Sequence, residues 1–211
     1  MRHGKIARYL VDQFSEVLAV DPSKRMIELG QSLQNGNAKN LRWLEGLAET
    51  TPLKGKFDLI TAALSVHWMD HEKLFVRLAE HVSPNHLFAV IEGDDAYNPP
   101  WRTSEISFLE KWVPAVTGKQ FVEGHREFMT RYQHHVHLIE EIEIISEPFT
   151  QSIDDFIACQ HSRDTFAISK LGQRLEEFDN ELKEILQPHA DDNSILTFKT
   201  KSTLTLSKLK I

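Results

Sequence analysis

The stretch from residue 57 to 92, KFDLITAALSVHWMDHEKLFVRLAEHVSPNHLFAVIE with its leading lysine, constrains this chain most. KFDLITAAL is an apolar run of strand length set off by Lys54-Gly55. HEKLFVRLAEHV places Leu74, Phe75, Leu78 and Val82 at helical spacing. Pro84-Asn85 interrupts it, and HLFAVIE is a second apolar run. A strand, a helix and a strand of these lengths form a right-handed crossover unit, and such units build parallel sheets with helices on both faces. The same alternation occurs upstream. IARYLVDQF carries Ile6, Tyr9, Leu10 and Phe14 at helical spacing. VLAV is a short strand ending in Asp21, and KRMIELGQSLQ is a helix after Pro22-Ser23 that stops near Asn35-Gly36-Asn37. LRWLEG is a further strand.

The second half reads differently. DDAYNPPW is a loop, and a helix from Glu105 carries Ile106, Leu109, Trp112 and Val113. Residues 136–147 alternate as a strand. Ser152 caps a short helix around Phe156 and Ile157. LGQRLEEFDNELKEIL puts Leu171, Leu175, Phe178, Leu182 and Ile185 on one face. Residues 195–207 alternate as an antiparallel strand does. The expected fold class is α/β, a three-layer Rossmann-like sandwich, mostly parallel with a late antiparallel strand. One domain is expected over 1–211. Its first half is 1–94, its helical cap segments are 95–135 and 148–190, and its late strands are 136–147 and 195–207.

With 211 residues, 41% hydrophobic and 26% charged, the chain suits one such domain. A net charge of −7 argues against a broad nucleic-acid-binding face. One cysteine, Cys159, excludes an internal disulfide framework and favours a reducing compartment, the cytoplasm by default. No apolar run reaches the roughly 20 residues of a membrane span, and no apolar signal core opens the chain. Oligomeric state is not set by these features.

Asp21 is the leading candidate for function. A carboxylate ending a strand can accept hydrogen bonds from both ribose hydroxyls, although capping the next helix is the plainer role. Ala62-Ala63-Leu64 ends a strand with small side chains, which admit a ligand or a tightly packed helix equally. His67 suits hydrogen bonding to an acceptor or base chemistry, or a backbone bond at a helix start. Trp68 suits a pocket wall or the core. QHHVH places His135 and His137 on one strand face, but no cysteine or carboxylate stands at telling spacing, so no metal is expected. Arg126, Arg131 and Tyr132 suit a lid over an anion, or a solvated helix face.

VLAVDPS, EGLAETTPL and above all FDLITAALSVHWMDHEKLFVRLAEHVSPNHLFAVIEGD resemble the class I S-adenosylmethionine-dependent methyltransferases. Within that class the chain is similar to the methyltransferase type 11 branch that includes trans-aconitate methyltransferase. Residues 4 to 94 carry the resemblance, and the rest agrees in element order. It implies a sheet of order 3-2-1-4-5-7-6 with strand 7 antiparallel, and S-adenosylmethionine as cofactor. Gly4 falls at the last glycine of the family's GxGxG turn, Arg2 at the middle one, and the first strand ahead of residue 1. The expectation is a sheet of six strands rather than seven, from a chain that begins inside its cofactor loop. Gly4, Asp21, Ala48, Glu49, Ala62 and Ala63 would bind cofactor. Ala48 would offer an N–H to adenine, while Leu47 stands where a carboxylate is usual. His67 and Trp68 would line the substrate pocket, with His67 as the catalytic candidate. The implied partner is a small-molecule methyl acceptor, by resemblance an organic acid, with no nucleic acid and no membrane. The alternative is a degenerate, non-catalytic methyltransferase-like domain or a fragment. A nicotinamide dehydrogenase would also use Asp21, but leaves SVHWMD and the antiparallel tail unexplained.

Overall fold

In the computed structural model, which describes residues 4–122 and 131–211, the strand–helix alternation forms as the apolar pattern dictates. Helix α1 is Lys5–Leu10, β1 is Val17–Asp21, α2 is Lys24–Ser32, and β2 is Leu41–Glu45. β1 and β2 pair in parallel, Val17 with Leu41 through Asp21 with Glu45. Ser23 caps α2 by accepting the Met26 N–H, which leaves the strand-end Asp21 outside the cap proper. β3 is Phe57–Ala63, α3 is His71–Ala79 capped by Asp70, and β4 is Val82–Ala96. β3 and β4 are parallel, with an irregularity where Phe57 faces Val82 but Leu59 faces Leu87. Pro84 and Asn85 occupy that bulge, where a proline deprives no ladder of a donor. The strand therefore runs through the break that the sequence suggested. His86 is buried there: its Nδ1 lies 2.8 Å from Ser83 O, and its Nε2 accepts the Leu209 N–H at 2.9 Å. Accepting at Nε2 fixes the proton on Nδ1.

β5 is Val136–Ile145, β6 is Phe149–Ser152, β7 is Ile195–Phe198, and β8 is Thr200–Leu209. The single late strand expected over 195–207 is thus two strands, divided at Lys199. β7 pairs antiparallel with β6, while β8 lies between β4 and β5. The Ser207 hydroxyl donates to Phe88 O and the Ser202 hydroxyl to Gly93 O, so β8 runs antiparallel to β4. Lys210 N–H donates to His135 O and Ser146 N–H to Thr200 O, so β8 is also antiparallel to β5.

The chain divides into two compact units where the sequence suggested one domain. The first takes the described residues within 1–93, 127–144 and 202–211. It holds β2–β1 as one hydrogen-bonded pair and β3–β4–β8–β5 as a second sheet. These are six strands in the order the resemblance implies, and no strand lies between β1 and β3 among the described residues. A cavity of about 160 Å³ stands there. It is lined by Val17, Leu18 and Val20 of β1 and by Leu59 through Ala62 of β3. Side chains alternate faces along a strand, so consecutive residues line one space only where it runs along the strand's edge. The two edges therefore flank an apolar gap, closed partly by Leu10 and Phe14. α1 buries Ala7 and Arg8, with Val11 buried just past its end, and leaves Tyr9 exposed, a rotation from the face the spacing suggested. The Arg8 guanidinium donates to Gln34 O at 2.7 Å, which accounts for a buried cation on that face.

The second unit takes the described residues within 94–126 and 145–201. Helix α4, Arg102–Thr117, packs with α5, Ile153–His161, and with Leu175–Leu186 around Trp101, Phe108, Trp112, Phe178 and Leu182. The long helix expected from Leu171 is broken at Gly172, whose φ of 56° no helix continues.

Candidate functional site

Asp21 ends β1 with its side chain buried, 5% exposed. Its Oδ1 accepts the Ser23 N–H at 2.8 Å, a bond that holds the carboxylate over the strand end. Gly46, at the end of β2, donates its N–H to Asp21 O at 3.1 Å. Its φ of 148°, with the Thr51 hydroxyl where a Cβ would stand, makes glycine the fitting residue at this turn. Farther along the same turn, Glu49 Oε1 accepts the Asp70 N–H at 2.8 Å. Asp70 closes the segment that follows β3. Asp21, the 46–51 turn and the end of β3 are thereby tied into one strand-end surface. This is the end of an α/β sheet at which ligands bind.

β3 ends in Ala62, buried, and Ala63, half-buried. Leu64 follows with a φ of 48°, a left-handed conformation that costs a bulky side chain energy and recurs at functional turns. Ser65 is buried, and its hydroxyl has no hydrogen-bond partner among the described residues. A buried unpaired hydroxyl beside a strained turn, on the Asp21 side of the sheet, fits a polar ligand lying across the strand ends.

Gly4 caps α1 with φ 58°, and its open face is covered by the Trp43 ring, into which a Cβ would project. Ala48 is half-buried and lines the apolar gap. Glu49 is committed to Asp70, which makes it a brace between two loops. His67 lies half-buried in a short 3-10 turn, Val66–Trp68, its ring 5.1 Å from Trp68. Trp68 is 67% exposed, so a core role is excluded. Arg2 and Arg126 lie outside the described residues. Tyr132 is fully buried among Phe75, Phe88 and His71, where desolvation pushes its hydroxyl well above the ordinary range. It belongs to the core and not to a solvated helix face. QHHVH does not present His135 and His137 on one strand face. A 3-10 turn at Gln133–His135 instead brings His134 and His135 together, 3.9 Å between ring centres. Sequence reasoning missed Ser65, which stands within the singled-out run between Leu64 and His67.

A sheet of this order, with its ligand end marked by a buried acid on one strand and small residues on the next, defines the class I methyltransferase fold. Residues 2–90 match a family described as the methyltransferase domain. That match takes in less than half of the chain, and together with the fold it makes the chain similar to methyltransferases of this class. Among solved structures, the chain is similar to a protein from Anaeromyxobacter dehalogenans assigned as a type II methyltransferase. The TM-score is 0.67 at 16% identity, over 98% of this chain and 85% of that one. It also resembles YcgJ from Bacillus subtilis, at TM-score 0.55 and 18% identity over 99% and 88%. A third likeness is to a protein from Bacillus halodurans assigned as a methyltransferase, at TM-score 0.54 and 14% identity over 98% and 88%. No curated protein matches the chain. Among the described residues no helix is long and apolar enough to cross a membrane.

Proposed function

We propose that this chain holds S-adenosylmethionine across the strand ends and transfers its methyl group to a small organic acid. The observation that carries the reading is the buried Asp21 carboxylate on the same sheet end as Ala62, Ala63 and the unpaired Ser65 hydroxyl. The cofactor supplies a methyl group on a sulfonium, whose leaving group is a neutral thioether. In-line displacement then asks the protein chiefly for alignment and exclusion of water. Asp21 would accept hydrogen bonds from the two ribose hydroxyls and so fix the nucleoside along the sheet. The Ala48 backbone N–H would offer a hydrogen bond to adenine, and Glu49 braces that turn through Asp70. Ala62 and Ala63 let the ligand approach the β3 backbone closely. Gly4, at the start of α1, bounds the methionine end. His67 meets the acceptor: it hydrogen-bonds a carboxylate, which needs no base, or takes the proton of a hydroxyl or amine. Trp68 shields the reacting atoms from water. The single exposed thiol, Cys159, supports a reducing compartment such as the cytoplasm.

Transfer of label from methyl-labelled S-adenosylmethionine to a panel of di- and tricarboxylic acids tests the reading. Methyl ester formation that falls at least tenfold in Asp21→Ala and in His67→Ala is expected. Equal activity in Asp21→Ala would overturn the assignment of the ribose site. The apolar gap between β1 and β3 favours a second reading, a methyltransferase-fold domain that binds the cofactor without turnover. Cofactor binding with no product from any acceptor would select it.

A further inference from the structure

Glu72 lies in the first turn of α3, 62 residues before His134 in the chain. The fold brings its Oε1 to 3.1 Å from His134 Nε2 and 3.3 Å from His135 Nε2. The three ligand atoms lie within 4.8 Å of one another. We propose that Glu72, His134 and His135 form a site for a divalent transition-metal ion of the zinc type, with a fourth position left for water.

The geometry carries the proposal. Ligand atoms about 2.0–2.1 Å from a tetrahedral zinc stand about 3.3 Å apart. The two measured edges agree with that. A plain ion pair explains the cluster less well. His135 Nε2 is buried and lies 3.3 Å from Glu72 Oε1 without the alignment of a good hydrogen bond. A buried ring nitrogen beside a carboxylate but out of line with it is suited to share a third centre with it. The two imidazole rings stand 3.9 Å apart, centre to centre, so both can face one ion. The His135 ring is held by stacking on Phe75 at 4.9 Å and 14°, so one ligand is preset by the core. His134 and Glu72 are more exposed, which gives a solvent ion an entry path. Two imidazoles and one carboxylate are a donor set for zinc and its first-row neighbours, and not for magnesium or calcium. The site uses none of the residues assigned to the cofactor or the acceptor.

The test is titration of the full chain with zinc chloride by competition against a chromogenic chelator, in parallel with Co²⁺, whose visible absorption reports tetrahedral coordination. The expected result is one ion per chain at micromolar concentration with a tetrahedral Co²⁺ spectrum. Glu72→Gln and His135→Gln should each weaken binding by more than about tenfold, because even groups behind the ligands are worth about 10–100-fold. His137→Gln, on the exposed strand just beyond, should bind as the parent does. Far-ultraviolet circular dichroism establishes that each variant is folded, and His134→Gln is a third ligand test on an exposed side chain. No binding by the folded parent, or binding unchanged in all three ligand variants, would overturn the proposal.

Discussion

At the scale of single residues, Gly4 shows how a sequence motif acquires a physical cause. A left-handed φ and the Trp43 ring both demand glycine there. Left-handed backbone costs a side chain about 1–2 kcal/mol, and overpacking adds about 1–3 kcal/mol. Gly4→Ala should therefore lower the melting temperature by several degrees, read by circular dichroism, and an unchanged melt would show that α1 does not dock on Trp43. Glu105 makes a different kind of prediction. Burial holds its carboxyl above the ordinary glutamate range, in spite of Arg102 at 3.2 Å. The folded state thus binds this proton more tightly than the unfolded state. The group's contribution to stability is greatest in acid and declines as pH rises from the ordinary glutamate pKa through the raised folded one. Glu105→Gln should melt higher than the parent at neutral pH, and the gain should vanish in acid. A lower melt at neutral pH would mean that the Arg102 pair outweighs desolvation. The place of Asp21 at a strand end was legible from the sequence because a strand, an acid and a helix start are local. The Glu72–histidine cluster was not, since its members meet only through the tertiary fold.

At the scale of elements, β5 is the edge of its sheet, and Leu138, Ile139 and Ile144 along it are exposed. An apolar edge with open backbone groups pairs readily with another chain. Ile139→Lys should reduce light scattering on heating without lowering the melting temperature, and unchanged scattering would clear this strand of blame. The α/β alternation was readable because each strand and helix carries its own period. The division of 195–207 into β7 and β8 was not, because alternation continues through Lys199 while the hydrogen-bond partner changes from β6 to β4 and β5. Alternation shows which residues share a face and is silent on the neighbour. Pro84 was read as a stop, where a bulge lets the strand include it. The order of strands came from resemblance, since periodicity alone leaves many orders open.

At the scale of the whole molecule, the gap between β1 and β3 couples stability to function. A central strand of about five apolar residues would bury roughly 1.5–3 kcal/mol each, a sum comparable with a domain's net stability of about 5–15 kcal/mol. The chain is accordingly expected to melt below about 60 °C, within the mesophile range. On the proposed function the Gly4 turn would bound the methionine end of the cofactor. Two or three hydrogen bonds to charged groups, at about 1.5–3 kcal/mol each, correspond to at least about a hundredfold in affinity. On the proposed function Asp21 would hold the ribose, while the apolar gap between β1 and β3 would leave the rest of the cofactor weakly held. Calorimetric titration of S-adenosylmethionine tests it, on the 211-residue chain and on the same chain with a short apolar strand and a Gly-x-Gly turn fused ahead of Gly4. Binding at least about a hundredfold tighter in the fused chain, and lost from both when Asp21 is replaced by alanine, is the predicted result. Equal affinity in the two chains, or binding indifferent to Asp21, would contradict the account.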